Sequence, residues 1–122
     1  MSDEIVAEAL SRFASIRVTI VLDEATIAVE RWHQPGSHVE ATGTLSADEV
    51  ESIRSLAAKV RQEEESLIVG DFYADGEERL KVSVGGRRVE LHNDSDRIRT
   101  PGAQPLLTRC YELADRVLPR PN

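Results

Sequence analysis

A chain of 122 residues with 22 acidic against 15 basic side chains carries a net charge of −7, which excludes a general nucleic-acid binder, because such proteins need a basic surface to displace counterions from phosphates. The single cysteine, Cys110, excludes an intramolecular disulfide and a multi-cysteine zinc site, and no apolar run approaches the ~18 residues that span a bilayer. With 40% apolar residues in clear periods, the chain can bury one core without staples, and a single domain over 1–122 is expected.

Ser2 is placed to cap a short helix whose first turn holds Asp3 and Glu4, where the helix dipole favours negative charge. Ile5, Ala9 and Phe13, joined by Val6 and Leu10, lie at helical spacing and predict that helix over 2–13. The period then changes to two. Ile16, Val18, Ile20 and Leu22 alternate with Arg17, Thr19 and Val21, which predicts a half-buried strand. Asp23-Glu24-Ala25 makes a turn, and 26–33 returns as a second strand with Ile27 and Val29 inward. Gln34-Pro35-Gly36-Ser37 is a loop, followed by a third strand over 38–45 with Val39, Ala41 and Gly43 on one side.

Ser46 and Glu49 form a capping box directly before the apolar repeat Val50, Ile53, Leu56, Ala57 and Val60, which predicts a helix. The acidic run Glu63-Glu64-Glu65 falls at its end, where the dipole disfavours it. A fourth strand is expected over 67–73. Leu80, Val82 and Val84 alternate up to Gly85-Gly86, and Val89 and Leu91 alternate after it, which predicts a two-residue hairpin. A loop follows over 93–104, then a helix over 104–118 with Pro105 in its first turn and Leu106, Cys110, Leu113, Ala114 and Val117 inward. The expected fold is α+β: an antiparallel sheet of about five to six strands with two or three helices packed on one face, in the order α-βββ-α-βββ-α.

Chemistry-bearing patterns are sparse. His33 and His38, five apart across the Pro35-Gly36 turn, could join Asp94 or Asp96 in a histidine–carboxylate cluster, although no paired ligands at helical spacing support it. The stretch 71–78 has acidic residues like a calcium loop, but Tyr73 and Val82 stand where oxygen ligands are needed, so it predicts a turn. Asn93-Asp94-Ser95-Asp96 is explained by side-chain-to-backbone turns. Cys110 lies on an apolar stripe and reads as a small buried hydrophobe. No nucleophile elbow, phosphate loop or dinucleotide fingerprint is present, and neither a cofactor nor a metal is expected. Trp32 stands out. With Ile27 and Val29 inward, alternation puts Ala28, Glu30 and Trp32 on the opposite face, and an outward tryptophan among charges has the character of a binding hot spot.

Three segments carry a family resemblance: Leu45-Ser46-Ala47-Asp48-Glu49 opening the middle helix, the late hairpin of residues 80–91, and Pro105-Leu106-Leu107 opening the last helix. From Ile16 onward this order of elements resembles emfourin, a small bacterial inhibitor of thermolysin-like metalloproteases, over about two thirds of the chain. The family has a glycine-rich turn after its first strand, where this sequence has Asp23-Glu24-Ala25, and no inhibitory residue carries over. The element order is also similar to that of class I secretion chaperones.

The function expected is therefore a non-enzymatic protein-binding module: a small acidic inhibitor, immunity protein or adaptor. Trp32 and Glu30 would contact a larger partner of basic character, and neither nucleic acid nor membrane is expected as a partner. A homodimer stays open. The alternatives are a small enzyme or ligand-binding domain using the histidine–carboxylate cluster, and a structural self-assembling domain. The N-terminus lacks a basic region followed by an apolar stretch, so the cytoplasm is the expected location, and thirteen arginines against two lysines suggest a bacterial source.

Overall fold

A computed structural model describes residues 2–11, 14–33, 36–61, 76–93, 98 and 101–119. Among the described residues six strands and two helices follow in the order β1 (Glu4–Ser11), β2 (Ala14–Val21), β3 (Thr26–His33), β4 (Ser37–Thr44), α1 (Ala47–Ala57), β5 (Gly76–Val84), β6 (Arg87–Asn93) and α2 (Gln104–Val117). The strands form one antiparallel sheet in the spatial order β4-β3-β2-β1-β5-β6. The first four make a meander. The connection that holds α1 then leads from the β4 edge to β5, which pairs with β1.

Both helices pack on one face of this sheet, as the α+β expectation requires. The alternating residues Ile5, Ala7, Val18, Ile20, Ile27, Val29, Leu80, Val82, Val89 and Leu91 form one cluster with Ile53 and Ala57 of α1 and Leu106, Leu107, Cys110, Leu113 and Ala114 of α2. Gly43 lets α2 close onto β4, because a Cβ there would lie 3.0 Å from Val117. Arg31, on the same face, is 6% exposed; its guanidinium bonds the Leu118 carbonyl at 3.0 Å and Asp115 at 2.7 Å.

The expected N-terminal helix is instead β1, which lies between β2 and β5. Residues 5, 9 and 13 are four apart, a spacing that a helix stripe and one face of a strand satisfy equally. What separates the two is Ala7, fully buried beside Ile5 as period two demands. Val6, Glu8 and Leu10 take the other face. Asp3 does not serve a helix terminus either. Its carboxylate accepts from Arg54 at 2.6 Å and from the Gly85 N–H at 3.1 Å, and these bonds hold the acid below its usual range.

The other local expectations hold where they can be compared. The capping box is present, with the Glu49 N–H donating to Ser46 Oγ at 3.1 Å and the Ser46 N–H donating to Glu49 Oε1 at 2.8 Å. Ile53 and Val60 are buried, whereas Val50 and Leu56 are only half-buried. The helix stops at Ala57, where Arg87 donates to the carbonyls of Ala57 and Val60 at 2.7 and 2.6 Å. The Gly85-Gly86 hairpin has φ of 61° and 78°, conformations open to glycine at little cost. Ala25, in the turn between β2 and β3, takes φ 54° without that freedom. The strand expected over 67–73 and the acidic run at 63–65 lie outside the described residues. Among the described residues no helix is long and apolar enough to cross a membrane.

Candidate functional site

The sheet face opposite the helices carries most of the charged side chains of the strands. Along one row across all six strands the register aligns Glu40, Glu30, Arg17, Glu8, Arg79 and His92. Arg17 lies 3.5 Å from both Glu8 and Glu30, and His38 lies 3.4 Å from Glu30. Such solvent-facing pairs add little stability individually.

Trp32 sits on this face, as alternation from Ile27 and Val29 predicts, and it is half-buried. Its ring stacks on His38 at 5.1 Å between centroids and 22° between planes. The Arg17 guanidinium lies 5.4 Å from the ring centroid, within cation–π reach. Glu30 is two residues away on the same face. The tryptophan is thus held by side chains from both neighbouring strands instead of by the core. At the other end of these strands, beyond the row of Glu40, Glu30 and Arg17, is a shallow depression of about 490 Å³ over β2, β3 and β4, lined by Thr19, Val21, Thr26, Ile27, Ala28, Thr42, Gly43 and Thr44. Its outward side chains are small, so a partner surface can approach the sheet closely there.

The proposed histidine pair does not assemble. Trp32 is opposite His38 and His33 is opposite Ser37, so His38 shares the outer face with Trp32 while His33 points to the helix side. Asp94 and Asp96 lie outside the described residues, as do 71–75 of the calcium-like stretch. Glu78, the last residue of that stretch, is buried and accepts from the Ile98 N–H at 2.7 Å and the Tyr111 hydroxyl at 2.8 Å, so it ties the sheet to α2. Cys110 is buried, and burial pushes its thiol up to about 12, leaving it no thiolate at neutral pH. What the register brings together instead is Glu30, His38 and Glu40, each offering one donor atom within 4.8 Å of the others. His38 is a candidate from the sequence but with other partners, and Glu40 is missed, because only the pairing of β3 with β4 makes the two neighbours of Glu30 and Trp32.

No family model matches this chain, and no curated protein matches its sequence.

Proposed function

We propose that the chain is a non-enzymatic protein-binding module, a small acidic inhibitor, immunity protein or adaptor, that docks a larger basic protein on the outer face of β2, β3 and β4. The observation that carries this is Trp32: a large ring, half-buried, on a sheet face that no described helix covers. Hot spots favour tryptophan because a rigid ring buries much area at little entropic cost, and the charged row around it supplies a polar rim. Glu30, with Glu40 opposite it, suits a basic partner and would raise the association rate in a way that salt suppresses. The resemblance of the element order to emfourin makes a thermolysin-like metalloprotease the first partner to try, with proteins encoded alongside this chain next.

The test is paired: calorimetric binding to that partner, and thermal unfolding of the variant alone. Trp32→Ala is expected to weaken binding by at least ~2 kcal/mol while changing fold stability by less than ~1 kcal/mol. A variant that unfolds early yet binds normally once refolded would make Trp32 a core residue and leave the interface without its anchor.

Self-association is favoured by a different observation. β4 has no neighbour on its outer side among the described residues, and Val39 on it is 44% exposed. Open strand edges template pairing with another chain. Sedimentation of the pure protein decides this, since a monomer at high concentration rules out an edge-paired dimer.

A further inference from the structure

We propose that Glu30, His38 and Glu40 form a binding site for a divalent first-row transition metal, of the zinc, nickel or copper kind. All three side chains rise from one two-stranded ladder. Glu40 stands directly opposite Glu30, and His38, two residues before Glu40, stands opposite Trp32 on the same face. The donor atoms already lie within 4.8 Å of one another. Around an ion with bonds of about 2.1 Å, neighbouring donors sit roughly 3–3.5 Å apart, so small rotations of the two glutamates close the set without moving the backbone.

Charge and chemistry both favour a cation here. Like charges directly opposite across a ladder destabilise it. Arg17 offsets only part of that, because it is shared between Glu30 and Glu8 at 3.5 Å each, and Glu40 has no ion-pair partner among the described residues. The imidazole distinguishes this group from an ordinary acidic patch. Calcium and magnesium prefer all-oxygen shells, whereas imidazole with carboxylates suits zinc, nickel and copper. The ring of His38 is also held before any ion arrives, by its stack on Trp32. Three protein donors on an exposed sheet leave further positions for water, so affinity belongs in the micromolar range and the site stays open to an additional ligand.

Trp32, the only tryptophan in the chain, provides the readout. The whole protein, with no partner present, is titrated with copper(II), nickel(II) and zinc(II) while its tryptophan emission is followed, and stoichiometry is checked by calorimetry. Saturable quenching by copper and nickel at one ion per chain is expected, with zinc competing and excess calcium or magnesium without effect. His38→Ala should weaken binding by roughly tenfold or more, and Glu40→Gln by a smaller factor, since even the outer partners of metal ligands are worth about tenfold. His33→Ala, on the opposite face, should bind like the unaltered protein. Absence of saturable quenching, an unchanged affinity in His38→Ala, or equal competition by magnesium would each overturn the site. Because the titration contains only metal and this chain, its failure is separable from failure of the docking reading.

Discussion

The two faces of the sheet are built from the same six strands and the same period of two, yet they obey different constraints. On the helix side the sheet must fill space against α1 and α2, and its buried residues are Ile, Val, Leu and Ala with two charged exceptions, Arg31 bonded to Leu118 and Asp115 and Glu78 bonded to Ile98 and Tyr111. On the outer side no described element presses on the sheet. Charged rows, threonines and a tryptophan coexist there with solvent-facing ion pairs of 2.5 to 3.5 Å that contribute little individually. A side chain on the inner face is explained by packing. One on the outer face is not, and the large aromatic there, braced by Arg17 and His38, is the observation on which the proposed docking rests.

Substitutions can break or sharpen this contrast. The largest effect belongs to Ile53, which has no exposed surface and lies in the centre of the inner cluster. Ile53→Asp is expected to cost roughly 4 kcal/mol or more, because the charge would be buried and unpaired, and urea unfolding should show much of the population already unfolded. An unchanged midpoint would mean that α1 presents another side to the sheet. Next comes a matched pair on neighbouring strands. Arg31→Ala removes an inner guanidinium that bonds Leu118 and Asp115, and should cost about 1–3 kcal/mol. Arg17→Ala removes an outer one and should stay within ~0.5 kcal/mol. Equal costs for the two would erase the distinction between the faces.

A smaller and pH-dependent effect is expected at the junction of the two helices. Glu49 accepts from the Arg116 guanidinium and from the Ser46 N–H, and these bonds bring its carboxyl from the ordinary 4.5 to about 2. A folded value below the unfolded one stabilises the fold above the unfolded pKa, and that stabilisation fades as pH falls from about 4.5 to about 2. Arg116 is half-exposed, so solvent screening keeps the contribution near 1 kcal/mol. Melting curves of Glu49→Gln and the unaltered chain should differ most at neutral pH and converge toward pH 2. A constant offset across that range would assign the loss to the cap geometry instead of the charge.

Much of the architecture is legible residue by residue where the signal is local. The capping box at Ser46 and Glu49, the Gly85-Gly86 turn and the strict alternations of β2, β3, β5 and β6 each specify their element within a few residues. The outward side of Trp32 follows from the same alternation. Its surroundings do not. A loop over Gln34-Pro35-Gly36-Ser37 sets His33 opposite His38, whereas the actual register sets His33 opposite Ser37. A slip of one residue exchanges the two faces of a strand, and here it moves His38, together with Glu40 two residues on, away from the face of His33 and onto that of Trp32 and Glu30.

Short-range evidence along the chain was enough for a capped amphipathic helix, a glycine hairpin and alternating strands. Only the tertiary structure decided that residues 4–11 are a strand, because Ile5 and Ala9 suit either period and β2 and β5 on both sides supply the hydrogen bonds that settle it. The same holds for the Glu30, His38 and Glu40 group. Its members meet through cross-strand pairing, whose register depends on the turn and on which face is buried, and no spacing along the chain encodes that directly.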